Sequence, residues 1–87
     1  MINKYDNSFN NEEDLLECLE RGCEVEFEYN KKSYSITHID EKIIVCEFYN
    51  EESEKIYSNP KDALSYSIEG LYLKDIINKI KILSRSF

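Results

Sequence analysis

Glu24, Glu26 and Glu28 occupy alternate positions, so on an extended backbone three carboxylates share one face. Alternate residues stand about 6.6–6.8 Å apart along a strand. Phosphates of one DNA strand rise about 3.4 Å each along the axis and lie farther apart through space as the backbone winds. A carboxylate ladder at this pitch imitates a row of phosphates. The plainer role is a solvated strand face. What speaks for phosphate mimicry beside that plainer role is the neighbourhood, because Glu12 to Glu28 holds eight acids and one base. Like charges at that density destabilise one another unless something else benefits. Glu12, Glu13 and Asp14 form a second cluster upstream. Tyr49, Tyr57, Tyr66 and Tyr72 read as exposed aromatics beyond the needs of a small core, and tyrosine is enriched in interface hot spots. Their plainer role is to edge the core with hydroxyls in water. The candidate partner-binding residues are therefore Glu24, Glu26, Glu28, Glu12, Glu13, Asp14, Tyr49 and Tyr57.

Other combinations are weaker. His38, the single histidine, and Cys46 fall on neighbouring expected strands and suggest a thiol–imidazole dyad, as in a small hydrolase. No helix N-terminus, glycine-rich oxyanion loop or orienting third residue accompanies them. His38 reads instead as structural and Cys46 as a core cysteine. Cys18, Cys23, Cys46 and His38 lack the close ligand pairs of structural zinc sites. With two glycines in the chain there is no phosphate-cradling loop, and no DxDxDG-type calcium loop occurs. The expectation is no catalytic, cofactor-binding or metal-ligating residue.

These residues must be positioned by one domain, 1–87, since 87 residues leave no room for a second core. An apolar content of 41%, with eleven Ile, argues against disorder. Residues 1–10 read as an irregular lead-in. Asn11 is an N-cap followed by acids in the first turn, and Gly22 a C-terminal stop, giving a helix over 12–21. Val25, Phe27 and Tyr29 alternate with the glutamates in a first strand. Asn30 to Lys32 is a turn, Tyr34 to His38 a second strand, Asp40-Glu41 a tight turn, and Ile43 to Tyr49 a third, central strand. Asn50 to Ser53 reads as a loop and Glu54 to Ser58 as an edge strand. Asn59-Pro60 opens a short helix to about Tyr66. Leu73, Ile76, Ile77 and Ile80, at i, i+3, i+4 and i+7, predict an amphipathic helix, although Lys81-Ile82-Leu83 could finish as a strand. The expected fold is α+β: an antiparallel meander of three to four strands, with an N-terminal helix and one or two C-terminal helices packed on one face. The other sheet face stays open.

Charge narrows the partners. The net charge is −7, with fifteen acids against five bases over 1–54 and three acids against six bases over 55–87. The sequence reads as a dipole with an acidic N-terminal part. Direct nucleic-acid binding is disfavoured, and a basic protein, such as a nucleic-acid-binding nuclease or effector complex, is the complement. No segment has the ~20 apolar residues of a membrane helix, no apolar stretch resembles a signal sequence, and three unpaired cysteines suit a reducing compartment. The expected location is the cytoplasm.

The segments EVEFEYNKKSYSI (24–36) and IEGLYLKDIINKI (68–80) resemble a group of short, mostly uncharacterised proteins of Gram-positive bacteria and their phages. That pattern is a strand, a YNGKKY-type hairpin and a closing IxGxxLKDI helix, and this chain has Lys31 where the pattern places glycine. In size, acidity and absence of motifs the chain is also similar to phage anti-CRISPR proteins. The resemblance implies an inhibitor that occupies a nuclease's nucleic-acid-binding surface, in the host cell cytoplasm. An immunity protein or antitoxin neutralising a basic nuclease toxin would use the same physics.

Overall fold

The computed structural model describes residue 9 and residues 11–86. The expected lead-in, 1–10, lies outside the described residues except for Phe9, which is fully buried.

Helix α1 (Glu12–Glu20) starts where Asn11 accepts a hydrogen bond from the Asp14 N–H at 2.9 Å. It stops at a left-handed glycine, Gly22, with φ +84°. The Gly22 N–H donates to the Leu19 carbonyl at 3.0 Å and the Cys23 N–H to the Cys18 carbonyl at 3.1 Å. This is the Schellman pairing, which is commonly accompanied by an apolar contact between the two flanking residues. Here Cys18 and Cys23, both buried, are in side-chain contact, and that accounts for their pairing without metal or disulfide.

Four strands follow as a meander: β1 (Glu24–Tyr29), β2 (Lys32–Ile39), β3 (Lys42–Glu47) and β4 (Asn50–Tyr57). Each hairpin is as short as a hairpin can be. Asn30 and Lys31 have φ of +53° and +71°, Asp40 and Glu41 +51° and +67°. Consecutive left-handed residues are the signature of a type I′ turn, whose twist matches that of the strands it joins. Lys31 therefore adopts the conformation that glycine would take without steric cost. The third turn, at Phe48-Tyr49, is equally tight, so β3 ends at Glu47 and β4 begins at Asn50. The expected loop over 50–53 is strand.

Asn59 caps α2 (Pro60–Ala63), accepting from the Asp62 N–H at 2.9 Å, with Pro60 in the first turn. Single turns then carry the chain to Tyr66, through i→i−3 bonds from Ser65 and Tyr66. A two-stranded ribbon, β5 (Ser67–Ile68) with β6 (Leu71–Tyr72), leads to a 3-10 turn over Leu73–Asp75. The final strand β7 (Lys81–Ser86) pairs antiparallel with β1, giving a five-stranded sheet ordered β4-β3-β2-β1-β7. β3 is interior, but the middle strand is β2.

The C-terminal amphipathic helix does not form. Its four apolar residues are nevertheless all buried, Ile76 to 1% exposure. They sit on i→i−3 turns, Ile76 N–H to Leu73 O at 3.1 Å and Lys79 N–H to Ile76 O at 2.8 Å. Only ten residues separate Gly70 from Lys81, too few for a helix to sustain itself without packing support. Pairing β7 onto β1 fixes the far end of that segment, so a compact set of turns buries the same stripe.

The core lies on one side of the sheet. Val25, Phe27, Tyr34, Ile36, Ile43, Val45 and Ile82 point into it from the strands. Leu15, Cys18 and Leu19 of α1, with the segment from Ala63 to Ile80, cover it. Phe27 and Tyr34, cross-strand partners, stack at 5.2 Å between ring centroids. Tyr34 meets Tyr66 edge-on at 6.4 Å, and the Tyr66 hydroxyl donates to the Ser53 carbonyl at 3.0 Å. Arg85 lies over Phe9 at 4.5 Å.

Candidate functional site: an open, acid-striped sheet face

Alternation sends the other half of every strand to the opposite face. Strand register sets these residues in rows: Glu28 beside Ser33, Glu26 beside Ser35 and Cys46, and Thr37 beside Ile44 and Ile56, with Glu24 opposite Ser86 at the start of β1. None of them is buried, so this face is left uncovered by the described residues. It grades across the strands from carboxylates on β1, over hydroxyls on β2, to an apolar patch of Ile39, Ile44 and Ile56. Ile39 is 57% exposed and Ile56 60%.

Glu24 is held in place, its Oε2 accepting from the His38 N–H at 3.2 Å. Glu26 and Glu28 have no hydrogen-bond or ion-pair partner among the described residues. Lys81 stands opposite Glu28 on β7 without closing an ion pair. The repulsion is tolerable: unit charges about 6.7 Å apart in water cost only about 0.6 kcal/mol per pair. The column is thus an unneutralised row of acids on a rigid strand.

The other predicted contact residues do not join it. α1 packs on the core side, so Glu12, Glu13 and Asp14 belong to the layer on the far side of the sheet. Tyr49 is fully exposed at the tip of the β3–β4 turn, with φ +63° and its ring edge-on to Phe48 at 6.1 Å. Tyr57 pairs with Ile43 on the core side and is half-buried, which pushes its phenol above the ordinary value. Tyr66, expected outside, is a core residue. Burial also raises its phenol above the ordinary value. Tyr72 is exposed. In space, β7, which carries Lys81 and Arg85 of the basic C-terminal part, lies directly beside the acidic β1.

The dyad has no geometry. His38 shares the core register with Tyr34 and Ile36, whereas Cys46 sits opposite Ser35 on the open face. The His38 Nε2 is 2.9 Å from the Cys23 carbonyl, a contact in which the ring nitrogen must donate. Cys46 is half-buried at a strand irregularity and is no core residue. Its thiol donates to the Glu47 carbonyl at 3.2 Å, and Ser53 Oγ lies 3.6 Å away. The Ser53 hydroxyl accepts from the Glu47 N–H at 2.8 Å and donates to the Asn50 carbonyl at 2.6 Å. Among the described residues no group of three or more His, Cys, Asp or Glu side chains is arranged to hold a metal ion. None of their helices is long and apolar enough to cross a membrane.

Sequence reasoning missed the apolar half of the open face. The alternation of β2, Ser33, Ser35, Thr37 and Ile39, is visible, but β4 has no periodicity and its pairing with β3 is a tertiary fact. Comparison with known protein families, with curated proteins and with solved structures finds no match.

Proposed function

We propose that the chain is a protein-binding inhibitor that lays its open sheet face against the basic, nucleic-acid-binding groove of a nuclease, in the manner of the anti-CRISPR proteins it resembles in profile. The observation that carries this reading is the uncovered face itself: three carboxylates in register on β1, two of them unpartnered among the described residues, beside an exposed isoleucine patch. A row of acids on a rigid strand is preorganised for cationic groups, and the isoleucines supply apolar area that charge alone does not.

The test is charge reversal. A partner captured by cross-linking in host lysate is purified and titrated with the protein and with the variant Glu24→Lys/Glu26→Lys/Glu28→Lys. The variant is expected to fold with stability within about 1 kcal/mol, as exposed strand positions allow. Its binding should be weaker by at least about 100-fold, three contacts each supplying about 1 kcal/mol. The protein should also displace nucleic acid from the partner. Equal affinities, or a ternary complex with nucleic acid still bound, refute the proposal.

A further inference from the structure

At the end of the sheet where β1 begins and β2 ends lies an open depression of about 260 Å³. Three elements enclose it. The Schellman stop at Gly22 leaves Glu20 at its edge, the β2–β3 turn brings Glu41 back over it, and the capped start of α2 contributes Pro60. Its apolar lining is Leu19, Ile43 and Pro60. Its polar lining is Glu20, Glu41 and the His38 ring.

We propose that this depression receives an arginine side chain of a basic protein partner. The polar groups around it offer acceptors. Neither the Glu20 nor the Glu41 carboxylate has a hydrogen-bond or ion-pair partner among the described residues. The His38 ring donates from Nε2 to the Cys23 carbonyl, which fixes its orientation at the edge of the depression. A guest must therefore be rich in donors and cationic. Glu20 also stands in the last turn of α1, whose negative dipole end disfavours a carboxylate and favours a cation. Arginine fits better than lysine. Its methylene stem can lie along Leu19, Ile43 and Pro60, and its planar fork of five donors can reach carboxylates on two sides. A lysine ammonium, compact and strongly hydrated, loses more water on entering such an apolar hollow.

This inference rests on the reading of a basic partner, but not on the open face being its contact surface. The two regions are neighbours, because Glu24 at the end of the carboxylate column bonds the backbone of His38, whose ring lines the depression. A basic segment crossing this end of the sheet would meet both.

The test needs no identified partner. The isotopically labelled protein is titrated by NMR with Nα-acetyl-arginine N-methylamide, and in parallel with the lysine and citrulline analogues. Citrulline keeps the shape of arginine and lacks its charge. The arginine probe is expected to give saturable shifts at Glu20, Gly22, His38, Glu41 and Ile43. Lysine should bind more weakly, and citrulline should give no saturable shift. Glu20→Gln/Glu41→Gln, both at exposed positions, should weaken arginine binding at least about tenfold. Glu26→Lys/Glu28→Lys should titrate like the unmodified protein, which separates this site from the open face. Equal responses to arginine and citrulline, shifts centred on Glu26 and Glu28, or an unaffected Gln variant would overturn the proposal.

Discussion

Single residues hold protons and backbone angles that the unfolded chain does not. Burial, with a hydrogen bond to Cys23, pushes the Cys18 thiol from its ordinary 9.0 up to about 12. Burial, reinforced by the charges of Glu47 and Glu69, pushes the Tyr34 phenol from 10.0 up to about 12. As pH rises, the unfolded chain loses these protons first, so it binds fewer protons than the folded chain and stability falls. Their contribution is intact below pH 9.0 and is lost as the pH climbs through the folded values near 12. Urea midpoints at about pH 8 and about pH 10.5 should show the drop, and Cys18→Ala should flatten its early part. A constant midpoint over that interval contradicts the assignment. At the β1–β2 turn, Lys31→Gly removes a left-handed penalty of about 1–2 kcal/mol. Glycine's greater chain entropy gives back about 0.5–1 kcal/mol. The expected net gain is about 0.5–1 kcal/mol in a denaturant melt, and a loss of stability would show that the Lys31 side chain has a native contact.

Among the elements, the segment between Gly70 and β7 teaches most. A spacing of i, i+3, i+4 and i+7 reports which residues are buried, and a run of i→i−3 turns satisfies it as well as an α-helix does. Ile76→Ala is expected to cost about 2–5 kcal/mol, the range for emptying a buried aliphatic site. Backbone chemical shifts separate the two geometries: 81–86 should be extended, with a cross-strand contact between Phe27 and Ile82, and no continuous helical run should cover 73–80. A helical run through Ile80 would refute the turn geometry. β4 is the opposite case. Its residues lack alternation because an edge strand with a register irregularity buries little on either side.

For the molecule as a whole, charge sets the kinetics of any encounter. The chain carries −7 overall, and the fold places β7, with Lys81 and Arg85, beside the acidic β1. Binding through the open face should weaken steeply between low and physiological salt, mainly through slower association. Stopped-flow association rates at two ionic strengths check this. A salt-independent rate would mean that the isoleucine patch alone carries recognition.

The sequence by itself determined α1, with its asparagine cap and glycine stop, because capping is chemistry between residues a few positions apart. It determined β1 to β3 and the face on which Glu24, Glu26 and Glu28 stand, because alternation is a property of the strand alone. It determined that Leu73, Ile76, Ile77 and Ile80 are interior. Only the tertiary structure decided that they lie on turns, that β7 closes beside β1, that His38 and Cys46 part to opposite faces, and that the helix acids leave the strand acids. It alone brought Glu20, His38 and Glu41 around one hollow. Each of these depends on which strand pairs with which. That choice is made by long-range burial and backbone hydrogen bonding, which no local pattern of residues encodes.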